Sequence, residues 1–149
     1  MDFLNSENFQ YETTTITTDK KLLLVKSVAD IYAGKRICDS VCGRVFLPIS
    51  SEENQQAVEI LSTHGISQAW LRVSDIYEEG VWKDFETLED MKFTNWGPGE
   101  PNDQANQIID AHSEDYAVLL DNGYWNGIPS NIGAWILCEL ASLKEIKND

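Results

Sequence analysis

Glu100, Asn102 and Asp103 place three oxygen-bearing side chains within four residues, in the stretch Trp96-Gly97-Pro98-Gly99-Glu100-Pro101-Asn102-Asp103. Two prolines and two glycines between positions 97 and 101 exclude both a helix interior and a central strand. The segment is therefore a loop, and binding residues concentrate on loops held by a scaffold. A hard cation such as calcium takes about six to eight oxygen ligands from carboxylates, amides and carbonyls. Further oxygens flank the same region: Asp75 and Glu79 on one side, Glu114, Asp115 and Asn126 on the other. On composition alone the better reading is solvated loop acids. Clustering would change that, because carboxylates brought together repel unless a cation joins them.

The elements that must position these groups come from a chain of 149 residues, enough for one domain with a core. A net charge of −14, from 25 acidic and 11 basic residues, repels phosphate backbones and argues against a nucleic-acid partner. No apolar run approaches the ~20 residues of a membrane span, and the polar residues 1–10 do not read as a signal peptide. Three cysteines, Cys38, Cys42 and Cys138, lack C-x-x-C spacing and lie far from His64 and His112. One disulfide with one leftover thiol is the simplest reading, and zinc is poorly supported.

Pattern and punctuation predict an α+β domain. Residues 1–18 read as an N-terminal extension or edge strand, 19–141 as the domain, and 142–149 as a polar tail. A short strand is expected over 22–26. Ser27, with Asp30 three residues on, is expected to cap a first helix whose apolar face includes Cys38 and which Gly43 ends. Ser50 and Glu53 cap a second helix, ended by Gly65. Ala69–Val73 reads as a central strand. Between Ser74 and Asp115 only Val81-Trp82 and Phe93-Thr94 look strand-like, and so long a loop in a compact domain is usually functional. Order returns with a strand over 116–120. Asp121-Asn122-Gly123 is expected to form a type I′ turn, Tyr124–Asn126 to pair back, and a last strand to span 134–140. The architecture is thus two helices, a small antiparallel sheet and a long irregular loop.

The ordered set Trp70-Leu71-Arg72-Val73, Trp96…Glu100-Pro101-Asn102-Asp103, Glu114-Asp115, Trp125-Asn126 and Cys138-Glu139-Leu140 resembles the C-type lectin domain. It is most similar to the mannose-type carbohydrate-recognition domains of the collectins, over roughly residues 20 to 140. The resemblance implies Ca2+, one or two ions. At the principal site Glu100, Asn102, Glu114 and Asn126 would hold calcium and the sugar together. Each vicinal hydroxyl gives calcium a lone pair, donates to a carboxylate and accepts from an amide. The family's Glu-Pro-Asn order goes with mannose, fucose or N-acetylglucosamine, and its central proline follows a cis bond. An auxiliary ion would take Asp75, Glu79, Asp103, Glu114 and Asp115. The family's outer disulfide corresponds to Cys38–Cys138.

Several positions depart from that pattern. Gly127 stands where the family has a coordinating aspartate, leaving only its backbone carbonyl for the ion. The inner disulfide is missing, its cysteines corresponding to Tyr116 and Ser130. Cys42 and Arg72 replace usual glycines; Cys42 reads as a buried free thiol or an intermolecular bridge. Gln104–Ser113 is longer than usual and brings Asp110 and His112. The expected function is a secreted, calcium-dependent lectin for mannose-type glycans or glycoproteins. A homo-oligomer through Cys42 or the N-terminal segment is also open. The alternative is a protein-binding module with a degraded sugar site. No enzyme is expected: Glu100 and Glu114 could mimic a glycosidase pair, but shared calcium ligands are poor proton donors.

Overall fold

A computed structural model describes residues 11–15, 20–101 and 114–140. Asn102, Asp103, Asp110, His112 and the rest of 102–113 lie outside the described residues, as do residues 1–10, 16–19 and the tail from 141. The strands are β1 (Tyr11–Thr15), β2 (Lys21–Ala29), β3 (Gly43–Val45), β4 (Gln68–Ser74), β5 (Lys83–Asp84), β6 (Tyr116–Leu120), β7 (Trp125–Ile128) and β8 (Ala134–Leu140). Helix α1 spans Ile31–Ser40 and α2 spans Ser51–Thr63. The sheet runs β1-β2-β8-β4-β6-β7, with β3 on β8 and β5 on β4. Its pairings are antiparallel except for one parallel contact, Ala69 with Trp135.

The sheet is the middle layer of the fold. Along β2, Leu22 and Leu24 join one core with Phe46, Ala57, Leu61 and Trp125. Leu23 and Val25 point the other way, into a core with Ile31, Ile37 and Cys38. The same alternation holds in β6, where Ala117 and Leu119 face the first core and Tyr116 and Val118 the second. Burial on both faces explains why the central strands read as continuous apolar runs rather than as alternating ones.

Helix α2 begins at its expected cap: the Ser50 hydroxyl accepts from the Glu53 amide at 3.1 Å. Helix α1 does not. β2 continues past a register shift between Val25 and Val28 to pair Ala29 with Ala134. Sheet pairing therefore holds Ser27 extended, and Asp30 becomes the cap, accepting from Ala33 N at 2.8 Å. The helix ends before Gly43, which instead opens β3; a Cβ there would lie 2.8 Å from the Glu139 carbonyl. Cys42 adopts φ 61°, the left-handed region that glycine favours. Its thiol is exposed, which corrects the buried reading: the left-handed turn carries the side chain away from α1's apolar face.

The hairpin after β6 also differs from expectation. Only Gly123 has positive φ, 94°. Gly123 N donates to Leu120 O, and Leu120 N to Tyr124 O, both at 2.9 Å. This is a three-residue loop with glycine at the left-handed bulge position, not a two-residue type I′ turn. In the long loop, Lys83–Asp84 pairs with Val73 and Ser74, whereas Val81-Trp82 and Phe93-Thr94 form no strand. Trp82 packs edge-to-face on Trp96 at 4.8 Å, and Phe93 on Trp125 at 5.9 Å. These residues serve the core through their rings rather than through backbone pairing.

Cys38 and Cys138 form a disulfide joining α1 to β8 across 100 residues, a loop whose closure is worth up to ~4.7 kcal/mol in the chain-entropy model. Arg72 is buried in β4. Its Nε meets both Asp84 oxygens at 3.0–3.1 Å, and its Nη1 meets Val45 O and Glu139 Oε2 at 2.8 and 3.0 Å. Lys20 Nζ closes the network on Glu53 at 2.7 Å and Glu139 at 3.3 Å. Removing one member of a buried ion network strands its partners without water. Arg72→Met is expected to lower stability by about 3–5 kcal/mol, read from the urea midpoint. Thiol titration of the denatured, unreduced monomer is expected to find a single reactive group, Cys42.

Candidate functional site

The candidate site lies where β4, β6, β7 and the long loop meet. Asp75 follows β4 and is 1% exposed. Its amide donates to the Asp115 carbonyl at 3.2 Å, and the Ser74 hydroxyl donates to the same carbonyl at 2.7 Å. The junction of β4 with the start of β6 is thereby locked. Asp75 Oδ2 accepts from Gly80 N at 2.9 Å, curling the 75–80 turn back over the carboxyl. Its Oδ1 is buried with no hydrogen-bond partner. Ligand oxygens of Asp75, Glu79 and Asp115 all lie within 4.8 Å of one another. Three of the five acids expected at an auxiliary ion are thus brought together. Glu114 adjoins them in the chain but is not in that trio, and Asp103 lies outside the described residues.

Burial raises the Asp75 carboxyl to about 8, with the facing Asp115 carboxyl adding to the effect; the Gly80 amide opposes it and Glu79 adds a smaller push. A buried acid facing another acid can stay neutral by keeping its proton, or stay charged by sharing a cation. The set of three carboxylates, one with an unpartnered buried oxygen, fits a hard divalent cation.

The second group converges on Gly127 in β7. The Gly127 N–H donates to Glu100 Oε1 at 3.0 Å, so Gly127 meets this group through its amide. A Cβ at Gly127 would lie 3.5 Å from that oxygen and 3.7 Å from the Glu114 Cβ, so Glu100 and Glu114 both come close to this position. Asn126 is half-buried beside them, opposite Val118 in the sheet. The Glu100–Pro101 bond is cis. Asn102 lies outside the described residues.

What holds Glu100 in place is a set of contacts the sequence did not signal. Trp96 bridges Trp125. Gly97 N donates to Trp125 O at 3.0 Å, Trp125 N to Asn95 O at 2.9 Å, and Glu100 N to Gly97 O at 2.9 Å. The Asn95 and Asn54 amides both donate to Gly123 O, at 2.7 and 2.9 Å. Asn54 Oδ1 accepts from Trp125 Nε1 at 2.8 Å. Neither Asn95 nor Gly80 carries a pattern that would mark it as support for the site.

No family model matches the sequence. Among curated proteins, the chain is 30% identical over 115 residues to collectin-43 of Bos taurus, covering 77% of this chain and 33% of that protein. It is 32% identical over 107 residues to the mannose-binding protein of Gallus gallus, covering 71% and 38%. The chain contains a collectin-like C-type lectin domain. It spans about a third of the length of these relatives. The fold agrees: the carbohydrate-recognition domain of the human scavenger receptor C-type lectin superposes with a TM-score of 0.78 at 21% identity, covering 87% of this chain and 95% of that one. A calcium-independent type II antifreeze protein shares the fold as well, with a TM-score of 0.73 at 14% identity, covering 92% and 100%. The C-type lectin architecture is therefore compatible with more than one activity, and the side chains of the site must decide.

The acid trio predicts a pH signature. An unfolded Asp titrates near ~3.9, so between roughly pH 4 and 8 the cation-free folded domain holds more proton at Asp75 than the unfolded chain. Its stability then falls as pH rises through that window. A bound cation takes the proton's place, so millimolar calcium is expected to raise the melting temperature more at pH 8 than at pH 5. Asp75→Asn is expected to flatten the slope measured in chelator. An identical slope in that variant would assign the pH dependence elsewhere.

Proposed function

We propose that this domain is a calcium-dependent carbohydrate-binding module for mannose-type glycans: mannose, fucose or N-acetylglucosamine. The observation that carries the reading is that Glu100 and Glu114 both come close to Gly127, while Asp115, next to Glu114 in the chain, joins Asp75 and Glu79 in an acid trio. Calcium at the Glu100 group would present two carboxylates and two amides, those of Asn102 and Asn126, to a pair of sugar hydroxyls. Glu100 and Glu114 accept, and the amides donate. The second ion would be held by Asp75, Glu79 and Asp115, with Asp103 and Glu114. The collectin and mannose-binding relatives support the carbohydrate class. The disulfide favours an oxidising, extracellular setting. The domain acts by binding, in line with its lectin relatives, and its partners are glycans or glycoproteins. The exposed Cys42 thiol leaves a covalent homo-oligomer as a testable addition.

One observation favours a second reading, a protein-binding module whose sugar site is degraded. Gly127 supplies no carboxylate, and its N–H already engages Glu100. With one ligand charge fewer, calcium affinity at this point falls, since charge count tunes such sites over orders of magnitude.

A glycan array in calcium and again in chelator separates the two readings. Mannose-type binding that chelator abolishes is expected; no glycan binding in either condition would favour the protein-binding module. The space at Gly127 admits a side chain, because its nearest neighbours would sit at ordinary contact distances of 3.5–3.8 Å. Gly127→Asp is therefore expected to tighten calcium at the sugar site by about tenfold or more, about 1.4 kcal/mol. Calorimetric titration with and without mannose checks this. Glu100→Gln combined with Asn102→Asp exchanges acceptor and donor ends, and is expected to shift preference toward galactose.

A further inference from the structure

A cavity of about 190 Å³ opens between α1 and the turn that follows β4, lined chiefly by Tyr32, Tyr77, Phe85, Tyr116, Ile76 and Lys35. It adjoins the acid trio in the chain, because Ile76 and Tyr77 follow Asp75 and Tyr116 follows Asp115, but it uses none of those carboxylates. We propose that this tyrosine-walled cavity is a second, cation-independent carbohydrate subsite that takes a single neutral pyranose ring.

Size, ring geometry and charge support the assignment. The cavity is smaller than the roughly 300–1,000 Å³ typical of drug-sized pockets, which leaves room for one ring and its substituents. Tyr116 is buried and stands edge-on to both Tyr32, at 6.0 Å and 77°, and Phe85, at 6.3 Å and 70°. Tyr32 and Tyr77 are 53% and 59% exposed, and Ile76 is 48% exposed. Rings this accessible offer apolar faces to a ligand while their phenols remain available as both donors and acceptors.

Charge narrows the ligand class. Lys35 stands at the cavity with its ammonium 3.1 Å from Asp39 and 3.4 Å from Glu86. A cationic ligand would meet that ammonium, and an anionic one would find it already paired with two carboxylates. The wall thus presents aromatic faces, phenol hydroxyls and one ammonium already paired with carboxylates. A pyranose matches it, with a C–H face to stack and hydroxyls to donate and accept, and no net charge. A purely apolar guest would leave the phenols and the ammonium without use.

The test is saturation-transfer NMR in excess chelator, which silences any calcium-dependent site, with methyl α-mannopyranoside, methyl β-galactopyranoside and cyclohexanol as probes. Transfer to the ring C–H protons of at least one glycoside is expected, falling severalfold in Tyr77→Ala and in Tyr32→Ala and remaining in Glu100→Gln. Both tyrosines are exposed, so truncation leaves the core intact, and circular dichroism confirms the fold of each variant. Absence of transfer in chelator overturns the proposal. So does transfer that both tyrosine variants retain, or transfer to cyclohexanol as strong as to the glycosides, which would mark a general apolar cleft. Calcium-dependent glycan binding is measured separately on the same proteins. Loss of one type of binding with survival of the other shows which of the two sites fails.

Discussion

Trp125 ties the irregular half of the domain to the regular half. Its ring is fully buried in the core beneath α2, and its indole N–H reaches Asn54 on that helix. Its backbone donates to Asn95 and accepts from Gly97. A loop of more than twenty residues carries many backbone groups that need partners, and Trp125 supplies two of them, at Asn95 and Gly97. Gly127, two residues on, is where Glu100 and Glu114 both come close. The same strand therefore anchors the core, registers the loop and forms the floor of the site. The two amides on Gly123 O lock the hairpin to both α2 and the loop, so the hairpin, the loop and the helix are held in a single arrangement.

The molecule handles buried charge in two contrasting ways. At the junction of β3, β4 and β8, Arg72 and Lys20 meet Asp84, Glu139 and Glu53 at hydrogen-bonding distance. That network carries its own cations. At the junction of β4 and β6, Asp75, Glu79 and Asp115 crowd together, and Asp75 is driven toward its protonated form. The buried Asp75 Oδ1 has no hydrogen-bond partner, although buried polar atoms in proteins generally have one. A site left short of positive charge, with Asp115 next in the chain to the Glu114 that lies near Gly127 and Glu100, is the physical basis for reading the domain as one completed by a divalent cation.

Much of this was legible in the sequence where local chemistry and tertiary structure agree. The Ser50 cap, the central strand through Trp70 and the final strand to Leu140 are written in capping residues and apolar runs, and the fold confirms them. The Cys38–Cys138 bond followed from the family resemblance and is present. The misses have a common cause in long-range pairing. Ser27 has the pattern of a cap, but β8 recruits it into β2. Asn-Gly suits a type I′ turn, but a third loop residue lets glycine alone take the left-handed position. Arg72 in an apolar strand gives no hint of partners that lie 12 and 67 residues away. The tyrosine-walled cavity joins α1, the 75–80 turn and β6, and no local window contains all three. Of the expected site residues, Asp75, Glu79 and Asp115 come together, as do Glu100, Glu114 and Gly127, while Asn102 and Asp103 lie outside the described residues.

The central claim is that these converging carboxylates are completed by calcium. Calorimetric titration of the chelator-stripped domain with calcium at neutral pH tests it most directly, with Asp75→Asn titrated in parallel. Saturable binding is expected, with a dissociation constant on the order of 10⁻⁴–10⁻³ M or tighter, as in extracellular calcium modules. Proton release is expected to accompany it, seen as heats that depend on the buffer, and the proton-linked component should disappear in Asp75→Asn. An unchanged protein showing no saturable heat with millimolar calcium would contradict the account.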